Sequence, residues 1–121
     1  MSSIFDEAAY ASRCRAWISL VAGFRQQVEE YAKSRDAAFS CDEPLAQELF
    51  ASLNGSVISV WMQPGDGHAS WNLIRDDLDM AEPWSLSADN TVFLDNEAMS
   101  IDAAALRFAE KLNGAWFPRN R

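Results

Sequence analysis

The chain has one imidazole, His68, and two thiols, Cys14 and Cys41, among its 121 residues. Metal centres are built from clustered His, Cys and carboxylate ligands. His68 has no second His or Cys near it in sequence, so neither zinc nor any other cofactor is implied. Asp77, Asp79 and Glu82 lie close together, but the sixth-position glycine and terminal Glu of a calcium loop are out of register. A nucleophile activated by His68 would have to be Cys14 or Cys41, and neither carries a recognisable signature around it. Gly65 and Gly67 fall in a turn between two strand-like stretches rather than between a strand and a helix, so no phosphate-cradling loop is predicted. Convergent carboxylates of the glycosidase kind are the one catalytic device left, and an acid-rich chain offers such pairs by chance. The chain is therefore expected not to be an enzyme.

Two other residue classes stand out. There are five tryptophans, Trp17, Trp61, Trp71, Trp84 and Trp116, and tryptophan buries a large rigid surface while keeping one polar handle, which suits it to binding hot spots. Trp61 falls on the more polar face of its strand, which suits a binding residue, and the competing expectation is that Trp61 and Trp71 pair across a hairpin beneath a helix as core. Trp84 adjoins an acidic stretch and is the candidate surface anchor. The second class is the carboxylates: Asp76, Asp77, Asp79, Glu82, Asp89, Asp95, Glu97 and Asp102 follow one another with no Lys or Arg between them.

Eighteen acids against ten bases give a net charge of −8, and the excess is segregated. Residues 1–35 net +1, residues 107–121 net +3, and residues 36–106, with Arg75 as their single base, net −12. Such a block repels polyphosphate and lipid headgroups, so direct nucleic-acid or membrane binding is disfavoured while a basic protein partner is allowed. Basic helix ends laid against these carboxylates would neutralise them locally. The longest uncharged apolar stretch, Ala16 to Phe24, is about half of what a membrane-spanning helix needs. Asp6 and Glu7 stand where a secretory signal would carry bases, which predicts a cytoplasmic protein with both cysteines as thiols.

Patterning then supplies the elements. Ser3 with Asp6 resembles a capping box, and Tyr10, Cys14, Trp17, Val21, Phe24, Val28 and Tyr31 alternate at spacings of four and three. That stripe predicts one long helix to about Arg35, running through Gly23. Ser40, Glu43 and Pro44 frame a second, short helix carrying Leu45, Leu49, Phe50 and Leu53, stopped by Asn54-Gly55, with Cys41 near its start. Ser56 to Gln63 and His68 to Ile74 alternate with period two around Pro64-Gly65-Asp66-Gly67, as a hairpin does. Asp77 to Pro83 reads as an acidic connection. Trp84 to Ser87 and Thr91 to Leu94 read as two more short strands, and Ser100 or Asp102 caps a last helix ending at Asn113-Gly114. Trp116 and Phe117 are expected to pin the tail. The sum is a single α+β domain over residues 1–121: a long N-terminal helix, a short second helix, a three- or four-stranded antiparallel sheet of hairpins, and a C-terminal helix packed on one face.

A small acidic chain without catalytic equipment resembles, in character only, phage-encoded inhibitors of host defence and immunity proteins that neutralise nucleases or other toxins. The expectation is a non-catalytic acidic binding domain, monomer or homodimer, whose Asp76, Asp77, Asp79, Glu82, Trp84, Asp89, Asp95 and Glu97 cover a basic or nucleic-acid-binding surface of a partner by imitating phosphates. The competing expectation is a structural or assembly component that oligomerises through the N-terminal aromatic helix.

Overall fold

The computed structural model describes residues 6–116. Helix α1 spans Glu7–Arg35 without a break. Asp6 caps it, its carboxylate accepting the Ala9 N–H at 3.0 Å, while Ser3 and Phe117 lie outside the described residues. Trp17, Val21, Phe24 and Val28 of the stripe are buried, and Leu20 joins them. Gly23 has a packing reason: a Cβ built there would come within 3.0 Å of the Ala105 Cβ. The glycine lets the second helix, α2 (Ile101–Asn113), lie closely across the first. Ser100 caps α2, and Gly114, at φ 89°, ends it in the left-handed conformation.

Between the helices the chain makes a seven-stranded antiparallel meander in sequence order: β1 (Phe39–Asp42), β2 (Glu48–Leu53), β3 (Ser56–Met62), β4 (His68–Arg75), β5 (Leu78–Leu86), β6 (Val92–Leu94) and β7 (Glu97–Met99). The hairpin of β3 and β4 stands where the alternation placed it. The short helix does not exist. Residues 39–42 and 48–53 are strands instead, with Cys41 inside β1 and Leu49, Ala51 and Leu53 buried in strict alternation. Asn54 and Gly55, read as a helix stop, both take positive φ (49° and 86°) and form the two-residue turn between β2 and β3. Left-handed Asn-Gly serves either purpose, and tertiary pairing with β3 decides which.

The strand count also exceeds the three or four expected. Residues 78–83 are not a connection but the first part of β5, paired along β4. Pro83 is tolerated because strand groups alternate sides: the Leu86 N–H bonds Gly67 on the β4 side, so the Pro83 nitrogen faces away from β4, where β6 pairs only with Ser85 and Leu86. A further turn at Asp95-Asn96, both at positive φ (55° and 64°), adds β7.

Both helices lie on one face of the sheet, over Leu49, Ile58, Val60, Trp71, Leu73, Trp84, Leu86, Val92 and Leu94. Arg13 of α1 ties that layer to two turns, donating to the carbonyls of Leu86 (2.8 Å), Pro64 (3.2 Å) and Gly65 (3.3 Å). At the other end, Arg25 reaches the Cys41 carbonyl and Glu43. No described helix is long and apolar enough to cross a membrane.

Candidate docking surface

The carboxylates singled out in the sequence do not share one face. Asp76, at φ 52°, and Asp77 form the exposed turn between β4 and β5. Asp89 sits in the turn at the far end of β5, a nine-residue strand spanning about 30 Å. There it accepts from the Ser87 hydroxyl and the Thr91 N–H, and the Ser87 bond chiefly holds its carboxyl below the usual range. Asp95 is paired: its side chain is only 14% exposed, and it accepts from Arg107 at 2.9 Å and Lys111 at 3.0 Å. Glu97 lies 3.6 Å from the same Arg107. The basic turn of α2 thus neutralises the acids of the β6–β7 hairpin, leaving Asp76, Asp77, Asp79 and Glu82 exposed beside β5.

Trp84 is not a surface anchor. It is 4% exposed, packs edge-on against Phe108 with centroids 5.4 Å apart, and donates its indole N–H to the Ser70 carbonyl. Period two explains why: Trp84 sits opposite Ala69, on the helix-covered side. Trp61 and Trp71 do not pair either. Trp71 faces Val60 and Trp61 faces Ser70, so one indole is buried and the other is outside. Trp71 meets Trp116 edge-on at 5.7 Å, and the Lys111 ammonium lies over both rings, 4.1 Å and 3.2 Å from their centroids. Lys111 is fully buried, and desolvation lowers its pKa to about 8 against the support of Asp95. Arg75 completes this end by donating to the Lys111 and Trp116 carbonyls, where the helix dipole favours a cation.

Catalytic geometry does not converge among these groups. His68 is exposed and pairs with Asp66 at 3.0 Å. Burial pushes the Cys41 thiol up, which disfavours the reactive thiolate. Among the described residues no three His, Cys, Asp or Glu side chains could hold a metal. A depression of about 400 Å³ between the helices and the β5–β6 turn is lined by Arg15, Ser19, Asn90, Ser100 and Asp102, with one carboxylate among them.

The sheet's second face is the larger feature. No described helix covers it, and four large apolar side chains stand exposed there: Trp61 (42%), Ile74 (45%), Phe50 (48%) and Phe93 (50%). Register joins most of them into one ridge. Phe50 is diagonal to both Trp61 and Val57 on β3, and Val57 is directly opposite Ile74 on β4. Direct neighbours are about 5 Å apart and diagonal ones about 7 Å, so Trp61, Phe50, Val57 and Ile74 are contiguous. The floor around them is short and polar, with Ser40, Ser52, Ser59, Ser70 and Ser85 alternating outward.

Its charge is one-signed. The outward positions of β1 to β7 include Asp42, Glu48 and Asp79 and no Lys or Arg. Each of these acids is the direct cross-strand neighbour of a ridge residue: Asp42 of Phe50, Glu48 of Trp61 and Asp79 of Ile74. Sequence reasoning misses the arrangement because the helix expected from Ser40 to Asn54 takes in Phe50 and Glu48 and has Asp42 in its first turn. The available signal was the alternation of Glu48, Phe50 and Ser52 with Leu49, Ala51 and Leu53. No family model matches this chain, and no curated protein or solved structure matches it.

Proposed function

We propose that this chain is a non-catalytic binding domain, working in the cytoplasm, that docks on a basic surface of a partner protein and acts as a stoichiometric inhibitor of whatever that surface binds, nucleic acid included. The observation that carries the reading is the sheet face that no described helix covers, where an apolar ridge is bordered by carboxylates with no Lys or Arg among the outward side chains of the strands. Exposed apolar patches of this kind mark interaction sites, and the acids select the partner's sign while speeding encounter. Asp76, Asp77 and Asp79 add charge at the β4–β5 turn and the outer side of β5, whereas Glu82 stands opposite the buried Trp71 on the helix side, and Trp84 and Asp95 belong to the interior. Trp17, Val21, Phe24 and Val28 of the α1 stripe are buried while Tyr10 and Ile18 of the same helix are exposed, so the central part of the stripe is not open to the assembly alternative.

The test is affinity capture from host extract with the wild type and with a Phe50→Ser, Trp61→Ser double variant, eluted by rising salt. A basic partner, held stoichiometrically by the wild type, released by salt and lost with the variant, is the expected result. A partner that the double variant retains in high salt would refute the reading.

A further inference from the structure

The ridge and its acids form a repeated pair rather than a general acidic surface. On β1 and β2, Asp42 stands directly opposite Phe50; on β2 and β3, Glu48 stands directly opposite Trp61. In each pair an exposed aromatic ring has a carboxylate about 5 Å away at the Cβ level, on a floor of serines that leaves space above the sheet. A guanidinium is the group that satisfies both members at once. It stacks its plane on an aromatic face while its N–H fork engages the carboxylate, and its weak hydration lowers the cost of doing so. An ammonium is a point charge with a tighter water shell and no plane to stack.

We infer that the outer face of β1 to β3 is a two-site arginine reader, taking an extended partner segment of the form Arg-x-Arg with one guanidinium on Trp61 and Glu48 and the other on Phe50 and Asp42. This rests on the proposal that the sheet face binds a basic protein. The spacing supports it: Phe50 and Trp61 are diagonal neighbours, about 7 Å apart, and alternate side chains of an extended strand repeat at about the same distance. Charge complementarity supports it as well, since the outward residues of these three strands carry carboxylates and no base. The two rings are close to half exposed, which leaves their faces open to a planar group.

The probe is a fluorescein-labelled peptide, Gly-Ser-Arg-Ser-Arg-Ser-Gly, compared by anisotropy with a twin carrying lysine at both positions. The arginine peptide is expected to bind at low salt at least fivefold more tightly than the lysine twin. Trp61→Ala and Glu48→Gln should each weaken it at least fivefold, Trp61→Phe should retain most of the affinity, and Glu29→Gln with Glu30→Gln, exposed on α1 across the sheet, should change it less than twofold. Circular dichroism of each variant reports that the fold is intact. Equal binding of the two peptides, or binding indifferent to Trp61, overturns the arginine reader while leaving the basic-partner proposal to its own capture experiment. So does a perturbation of the Trp61 indole signal by cellohexaose with none by the arginine peptide, since rings above a polar floor could then be stacking on sugar.

Discussion

Lys111 holds its ammonium where almost no water reaches it, between the rings of Trp71 and Trp116 and against Asp95. Its pKa of about 8 in the fold stands below the ordinary 10.5 of the unfolded chain. Between those two values the unfolded chain binds the proton that the folded chain has released, so this group makes stability rise with pH across that window. Urea titrations from pH 8 to 10.5 should show that rise in the wild type and lose most of it in Lys111→Met. Asp95→Asn leaves the buried ammonium without its anion and should cost about 3 kcal/mol, whereas Asp77→Asn in an exposed turn should stay within about 0.5 kcal/mol. Little of this was legible beforehand. The excess of bases after residue 106 did suggest that helix ends would meet the acidic middle, as Arg107 and Lys111 do. Trp84 reads as a surface residue from its acidic neighbours and is buried, while alternation alone puts Trp61 on the more polar face of its strand, where it stands exposed; the strand register, which sends alternate residues to opposite faces, sorts the one indole from the other.

At the scale of elements, the long helix, the β3–β4 hairpin and the closing helix could be read because each has a sustained period and a cap. The error over residues 40–53 has a definite cause. Leu45, Leu49, Phe50 and Leu53 fit a helix face, while Leu49, Ala51 and Leu53 fit a strand face, and a short apolar run cannot choose between them. Long-range pairing chose. The turns that connect the strands are held by left-handed residues, and one of them is sterically closed. Gly67 has φ 80°, and a Cβ there would lie 2.0 Å from the Leu86 carbonyl oxygen and 2.8 Å from Arg13 Nε. Gly67→Ala should therefore cost about 3 kcal/mol or more by chemical denaturation, since it also displaces the Arg13 anchor. Gly55→Ala, at φ 86° with open space around it, should pay only the left-handed penalty of about 1 kcal/mol.

For the molecule as a whole, the decisive asymmetry is a sheet that the described helices cover on one side only. Composition showed enough apolar residues for a core but not that some large ones would be left outside it. The segregated charge was real in sequence and became partly internal in space. Removing the exposed ridge should be nearly neutral for folding: Phe50→Ser with Trp61→Ser is expected to shift the unfolding free energy by less than about 1 kcal/mol. The same pair should reduce self-association on acidification, where protonated carboxylates no longer keep copies apart. A loss of several kcal/mol would mean that the ridge belongs to the core after all.

The contact of Gly23 with Ala105 also sets a schedule. Every strand pairs with its neighbour in sequence, so each hairpin can close soon after it is made, at small loop-closure cost. The first helix cannot finish in that way, because the partner that seats against it is the last element of the fold. At synthesis rates of about 5–20 residues per second, the span from Gly23 to Ala105 takes roughly 4–16 s to emerge. Through that interval a nascent chain carries Trp17, Val21, Phe24 and Val28 without the helix that completes their cover, and the emergence of α2, rather than the sheet, is the event that closes the core.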